Sequence, residues 1–148
     1  GTRTVIDIEK TQPGTDRLLR SIDVIIAAEA FPADMTSASS IGLALARMQD
    51  ETGAAVVCVT LGEQGSLARV GGREIRTPAY PVSVVDSTGA GDVFRAGFLA
   101  AWLHGGLGLN VAIPISTVAA AASPCRSTCR SMLTSPPFVS TVKRFFFV

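Results

Sequence analysis

Several residue types are scarce in this chain, and each scarcity excludes something. Among 148 residues there is one His, one Trp and one Tyr, with three Cys. An odd and small number of cysteines excludes a disulfide framework and fits a reducing cytoplasm, where we expect the protein to reside. With His104 the lone histidine, Cys125-x-x-x-Cys129 lacks a second ligand pair, so both cysteines read as ordinary thiols rather than a zinc site. Charged residues make up only 17% of the chain and the net charge is +1. That balance leaves no electrostatic footprint for nucleic acid or an acidic membrane surface, and neither is expected as a partner. The apolar stretch Val111–Ala122 is short and broken by Pro114, which excludes a bilayer span. No signal peptide is expected, because Gly1-Thr2-Arg3-Thr4 runs straight into the strand-like Val5-Ile6-Asp7-Ile8.

Two common glycine motifs are also missing. A P-loop needs GxxxxGK[ST], and neither the lysine nor the spacing occurs around Gly89. A dinucleotide fingerprint needs GxGxxG, but Gly89-x-Gly91 is followed at the third position by Phe94.

What is present is an apolar chain with a regular rhythm. The hydrophobic fraction is 47% and the mean hydropathy +0.39, which suit a buried sheet covered by helices. The length is one domain's worth, enough to bury a core. Strands are expected at Thr4–Ile8, Val24–Ala27 and Ala55–Leu61, with a short helix from Thr15 to Ile22 and a longer one over Ser39–Glu51. Ser66–Val70 and Arg73–Thr77, joined by Gly71-Gly72, read as a β-hairpin. Pro78 and Pro81 bracket a link into a strand at Val82–Asp86. A helix then begins at the following glycine turn and runs to about Leu103, before Gly105-Gly106. Alternating strands and helices predict an α/β fold with a parallel sheet layered with helices, and ligand at the carboxyl ends of the strands.

The most informative segment is Asp86-Ser87-Thr88-Gly89-Ala90-Gly91-Asp92-Val93-Phe94-Arg95-Ala96-Gly97. It joins a β-branched strand to an apolar helix through small residues, and Asp92 falls in the first helical turn. The first amides of a helix have no intrahelical acceptor and carry the positive end of its dipole. Small residues at Gly89, Ala90 and Gly91 let an anionic oxygen approach those donors. An anion cradle with an acid beside it suits phosphoryl transfer to a hydroxyl.

The pattern D-[ST]-T-G-A-G-D-x-F-x-x-G resembles the second signature of the ribokinase-like (PfkB-type) sugar and nucleoside kinases. The strand Ala55–Leu61 and its turn Thr60-Leu61-Gly62-Glu63-Gln64-Gly65 resemble that family's nucleotide-side strand and T-L-G-x-x-G turn. Upstream, Ser21–Phe31 is similar to the strand that often ends in N-x-x-E. The two signature positions here read Ala28 and Phe31, and only Glu29 between them is acidic.

The resemblance implies a ribokinase-like α/β fold and an ATP-dependent sugar kinase using Mg²⁺. Asp92 would be the catalytic base, and Gly89, Ala90 and Gly91 would form an anion hole. Thr60, Gly62 and Gly65, together with Gly91, would line the nucleotide. In relatives that use K⁺, the positions matching Asp86 and Thr88 help hold the ion; locally those residues also serve to end the strand and cap the helix.

Relatives are longer, and their N-terminal half supplies much of the sugar site and a small β lid. Residues 1–122 are therefore expected to be the C-terminal portion of such a kinase, with 123–148 an atypical tail. A partial fold would leave a sheet edge and apolar faces that favour association into a homo-oligomer. Two other readings stand beside the kinase: an inactive nucleotide- or anion-binding remnant serving as an interaction module, and an unrelated α/β domain whose glycine turn is structural.

Overall fold

The computed structural model describes residues 3–82, 87–104 and 106–122. The chain divides into two compact units, Gly1–Pro78 and Ala79–Val148. The first runs β1 (Val5–Ile8), α1 (Thr15–Leu19), β2 (Val24–Ala28), α2 (Phe31–Thr36), α3 (Ile41–Thr52), β3 (Val56–Thr60), β4 (Ser66–Val70) and β5 (Arg73–Thr77). Its five strands form one sheet in the order β1-β2-β3-β4-β5.

β1, β2 and β3 are parallel, with Val5 opposite Val24 and Val24 opposite Val56. The β4–β5 hairpin continues the sheet antiparallel to β3, pairing Thr60 with Ser66 and Ser66 with Thr77. Both hairpin strands fall on the residues expected from the sequence, and Gly71 and Gly72 turn between them at φ 53 and 81. The hairpin's attachment to β3 makes the sheet mixed, parallel on the β1 side and antiparallel on the β5 side.

β2 and β3 are β-branched runs whose successive side chains, Val24 to Ala27 and Val56 to Val59, are all buried. Side chains of one parity, Ile25, Ala27, Val57 and Val59, join Leu19, Phe31, Leu45 and Met48 of the helices in one core. α3 places Ala44, Leu45 and Met48 inward. It starts where the Ser40 hydroxyl accepts from the Leu43 N–H and stops at Gly53, φ 72. These are the start and stop signals that the sequence carries. Entry to the first two strands is tied by a reciprocal pair. The Thr4 N–H donates to Asp23 Oδ2 at 2.8 Å, and the Asp23 N–H donates to Thr4 Oγ1 at 2.9 Å. The Thr4 amide, then its hydroxyl, hold the Asp23 carboxyl below its ordinary pKa.

The second unit contains α4 (Ala90–Leu99), which continues as a π-helical turn over Ala100–His104, and α5 (Leu109–Ala122). Phe94 and Phe98 are buried on α4, and the Phe98 ring meets Trp102 at 5.5 Å between centroids. Gly97 lets α5 come close: a β-carbon there would stand 3.3 Å from Ser116 Cα. Pro114 lies inside α5 and removes one donor from its ladder without ending it, so the helix runs through the proline at which the sequence suggests a break. The expected strand Val82–Asp86 lies, from residue 83 on, outside the described residues, as do Cys125, Cys129 and the whole tail 123–148.

Candidate active site

α4 begins as its sequence requires. Gly89 is the N-cap and adopts φ 79, ψ 1, the left-handed conformation that costs a glycine nothing. The Ala90 N–H donates to the Ser87 carbonyl at 3.1 Å, closing the turn, and the first intrahelical bond runs from the Val93 N–H to the Gly89 carbonyl at 3.0 Å. Ala90, Gly91 and Asp92 thus occupy the three positions before the ladder starts. A Ser, Thr or Asp cap would spend its side-chain oxygen on the second or third of those amides. A glycine cap leaves them to a ligand. Of the three residues expected to form the anion hole, Gly89 shapes the turn, Ala90 has its amide engaged within it, and Gly91 presents an amide with no acceptor in the helix.

Asp92 sits on the third helical position with its side chain 76% exposed, so a hydroxyl from solvent can reach it. Its Oδ1 pairs with Arg95 Nη2 one turn on. Its Oδ2 lies 3.8 Å from where a Gly89 β-carbon would stand. The guanidinium folds back over Gly91, whose missing β-carbon would be 3.5 Å from Arg95 Nη1. The sequence marks Arg95 only by its i,i+3 spacing from Asp92, the pattern of a helical ion pair.

Thr60, Gly62 and Gly65 come together in the first unit, in the turn linking β3 to β4. A single 3₁₀ turn, Gly62–Gln64, reverses the chain, and the Leu61 N–H donates to the Gly65 carbonyl at 2.8 Å. Gly62 at φ 54 and Gly65 at φ 91, ψ −124 take up conformations that side-chain-bearing residues avoid. Gly62 is exposed, Thr60 half-buried and Gly65 buried. Glu29 is exposed just beyond the end of β2. Thr88 is exposed in the turn before α4, and Asp86 lies outside the described residues.

Among the described residues no three His, Cys, Asp or Glu side chains converge on a point. Among those residues, too, no helix is long and apolar enough to cross a membrane. Cys58 is buried in β3, and desolvation pushes its thiol up to about 12.

This turn and helix carry the second signature of a carbohydrate kinase family, and residues 3–136 match the model of that family, the pfkB family carbohydrate kinases. The chain belongs to the PfkB family. It is 49% identical over 69 residues to the fructoselysine 6-kinase of Escherichia coli strain K12, an alignment covering 47% of this chain and 26% of that protein. It is 31% identical over 131 residues to a fructokinase of Klebsiella pneumoniae, covering 87% of this chain and 43% of the relative. The chain therefore spans less than half the length of these curated relatives. The ribokinase of Thermotoga maritima shares the fold, with a TM-score of 0.71 and 19% identity over 95% of this chain and 57% of that one.

Proposed function

We propose that this chain carries the phosphoryl-transfer machinery of an ATP-dependent sugar kinase. The observation that carries the reading is Asp92, an exposed carboxylate on the first turn of a helix capped by a left-handed glycine, inside the family's signature. The sugar hydroxyl attacks the terminal phosphorus, a new O–P bond forms, and the bond to the ADP oxygen breaks. Asp92 orients that hydroxyl and takes its proton. Proton removal is needed only late, because phosphoryl transfer passes through a loose transition state. The Gly91 amide and the positive end of α4 stabilise charge on the transferring group, where fixed donors are worth most. When bound, Mg²⁺ neutralises the phosphates. The turn Thr60–Gly65 serves the nucleotide, and Asp86 and Thr88 are the candidates for a monovalent cation such as K⁺.

The relatives named fructoselysine 6-kinase and fructokinase make fructose and its amino-acid adducts the first acceptors to try. The test is ADP release from ATP in the presence of fructose, fructoselysine, other hexoses, pentoses and nucleosides. Sugar-dependent ADP release by the protein at its full natural length supports the proposal. ATP binding without transfer to any acceptor overturns it in favour of a nucleotide-binding module.

A further inference from the structure

The two oxygens of Asp92 are in different situations. Oδ1 is held by Arg95 Nη2, whereas Oδ2 is turned toward the Gly89 cap, 3.8 Å from the place of its missing β-carbon. The guanidinium that makes this distinction is itself placed by the helix. Arg95 lies one turn beyond Asp92, its side chain is 27% exposed, and its head packs over Gly91 with Nη1 and Cζ at 3.5 and 4.0 Å from the position of an added β-carbon. An alanine β-carbon at position 91 would make ordinary contact with that head.

We propose that Arg95 is the positioning residue of Asp92, fixing the carboxylate so that Oδ2 is the oxygen that receives the hydroxyl proton. The proposal rests on the assignment of Asp92 as the base. A lone carboxylate on an exposed helical turn samples several rotamers, and it is repelled by the triphosphate it must face. Pairing one oxygen with a planar, permanently charged guanidinium selects one rotamer and offsets that repulsion. The other oxygen stays turned toward the Gly89 cap at the start of the helix. Gly91 lies between the two groups: its amide is the donor assigned to the ligand, and the arginine head packs over its α-carbon.

The test compares Arg95→Lys, Arg95→Gln, Asp92→Asn and the double variant Asp92→Asn/Arg95→Gln in the protein at its full natural length. If Arg95 acts through Asp92, Arg95→Gln lowers kcat about tenfold to a hundredfold, the scale on which small misplacements act. KM for ATP changes less than about threefold, because position and not binding is lost. Arg95→Lys recovers part of the rate, and the double variant is no slower than Asp92→Asn alone. A second readout needs no turnover. In the protein at its full natural length, NMR of the Arg95 side chain should show slowed rotation of the guanidinium that quickens in Asp92→Asn.

Arg95→Gln at the wild-type rate, with Asp92→Asn crippled, overturns the positioning role and leaves the kinase reading intact. Multiplied losses in the double variant with a raised KM for ATP also overturn it, making Arg95 a phosphate ligand in its own right. Asp92→Asn at the wild-type rate, or a wild-type protein without turnover, overturns the reading on which the proposal stands.

Discussion

Gly97 of α4 and Ala119 of α5 approach so closely that a β-carbon on the glycine would stand 3.1 Å from that of the alanine. Gly97 is the last residue of the family signature, six positions beyond Gly91, and it is buried. Its place in the motif is explained by packing and not by chemistry: it sets the distance between the helix that carries Asp92 and its neighbour. Replacing a helical glycine by alanine normally stabilises by about 1 kcal/mol. Here the added methyl meets Ala119 Cβ and the Ser116 backbone, and overpacking of this kind costs about 1–3 kcal/mol. Gly97→Ala should therefore lower the urea midpoint of unfolding. Gly97→Ala/Ala119→Gly should recover part of the loss, because one of the two contacts is relieved. Gly97→Ala with an unchanged or raised midpoint contradicts the close approach.

The two glycines of the turn should fail in different ways. Gly89 needs its left-handed φ of 79, and a β-carbon there would find only ordinary contact with Asp92 Oδ2. Gly89→Ala should cost about 1–2 kcal/mol of stability through backbone strain. Gly91 lies within α4, so Gly91→Val acts on function: its branched side chain blocks the approach to the amide. Calorimetry should find ATP binding weakened in Gly91→Val. In Gly72→Ala, whose φ of 81 lies in the β4–β5 turn, affinity should stay near normal while stability falls. Normal ATP binding by Gly91→Val removes the anion cradle.

Cys58 supplies a pH test of the first unit. Its folded thiol titrates at about 12 against an ordinary value of 9.0, because burial penalises the thiolate. Raised in the folded state, it contributes stability below pH 9. Above that, the unfolded chain releases a proton that the folded chain keeps. The folding constant of the wild type, taken relative to Cys58→Ala, should thus fall by up to about tenfold per pH unit between 9 and 12. In a Cys125→Ser/Cys129→Ser background, the remaining thiol should resist a disulfide reagent at pH 8 until the protein is unfolded. Prompt labelling in the native state means that β3 is not buried as described.

Much of this architecture could be read from the chain because local signals agree with the fold. The β-branched runs of β2 and β3 and the Gly71-Gly72 turn each state their own structure within a few residues. The start of α4 was equally plain, since alternating glycines followed by an acid have few other uses. What escaped was short or depended on distant partners. α2 spans only six residues and starts from Ala30 without a side-chain cap, so nothing announces it but Pro32 near its first turn. Pro114 suggested an interruption, yet packing at Gly97, Ser116 and Ala119 carries α5 through it. Antiparallel addition of the hairpin to β3 is a choice of partner, which periodicity does not encode. Within the site, Asp92 and its glycines were visible as a motif, whereas Arg95 required coordinates, because an i,i+3 pair in sequence does not say which oxygen is held.

The central claim is that Asp92 handles the proton of the acceptor hydroxyl, and the most direct measurement is the turnover of Asp92→Asn in the protein at its full natural length. Asparagine keeps the size and the hydrogen-bonding reach of the side chain and removes only its capacity as a base. General bases contribute roughly a hundredfold to ten-thousandfold, so sugar-dependent kcat should fall by at least about a hundredfold. ATP affinity measured by calorimetry should change little. Turnover in Asp92→Asn equal to that of the wild type contradicts the account.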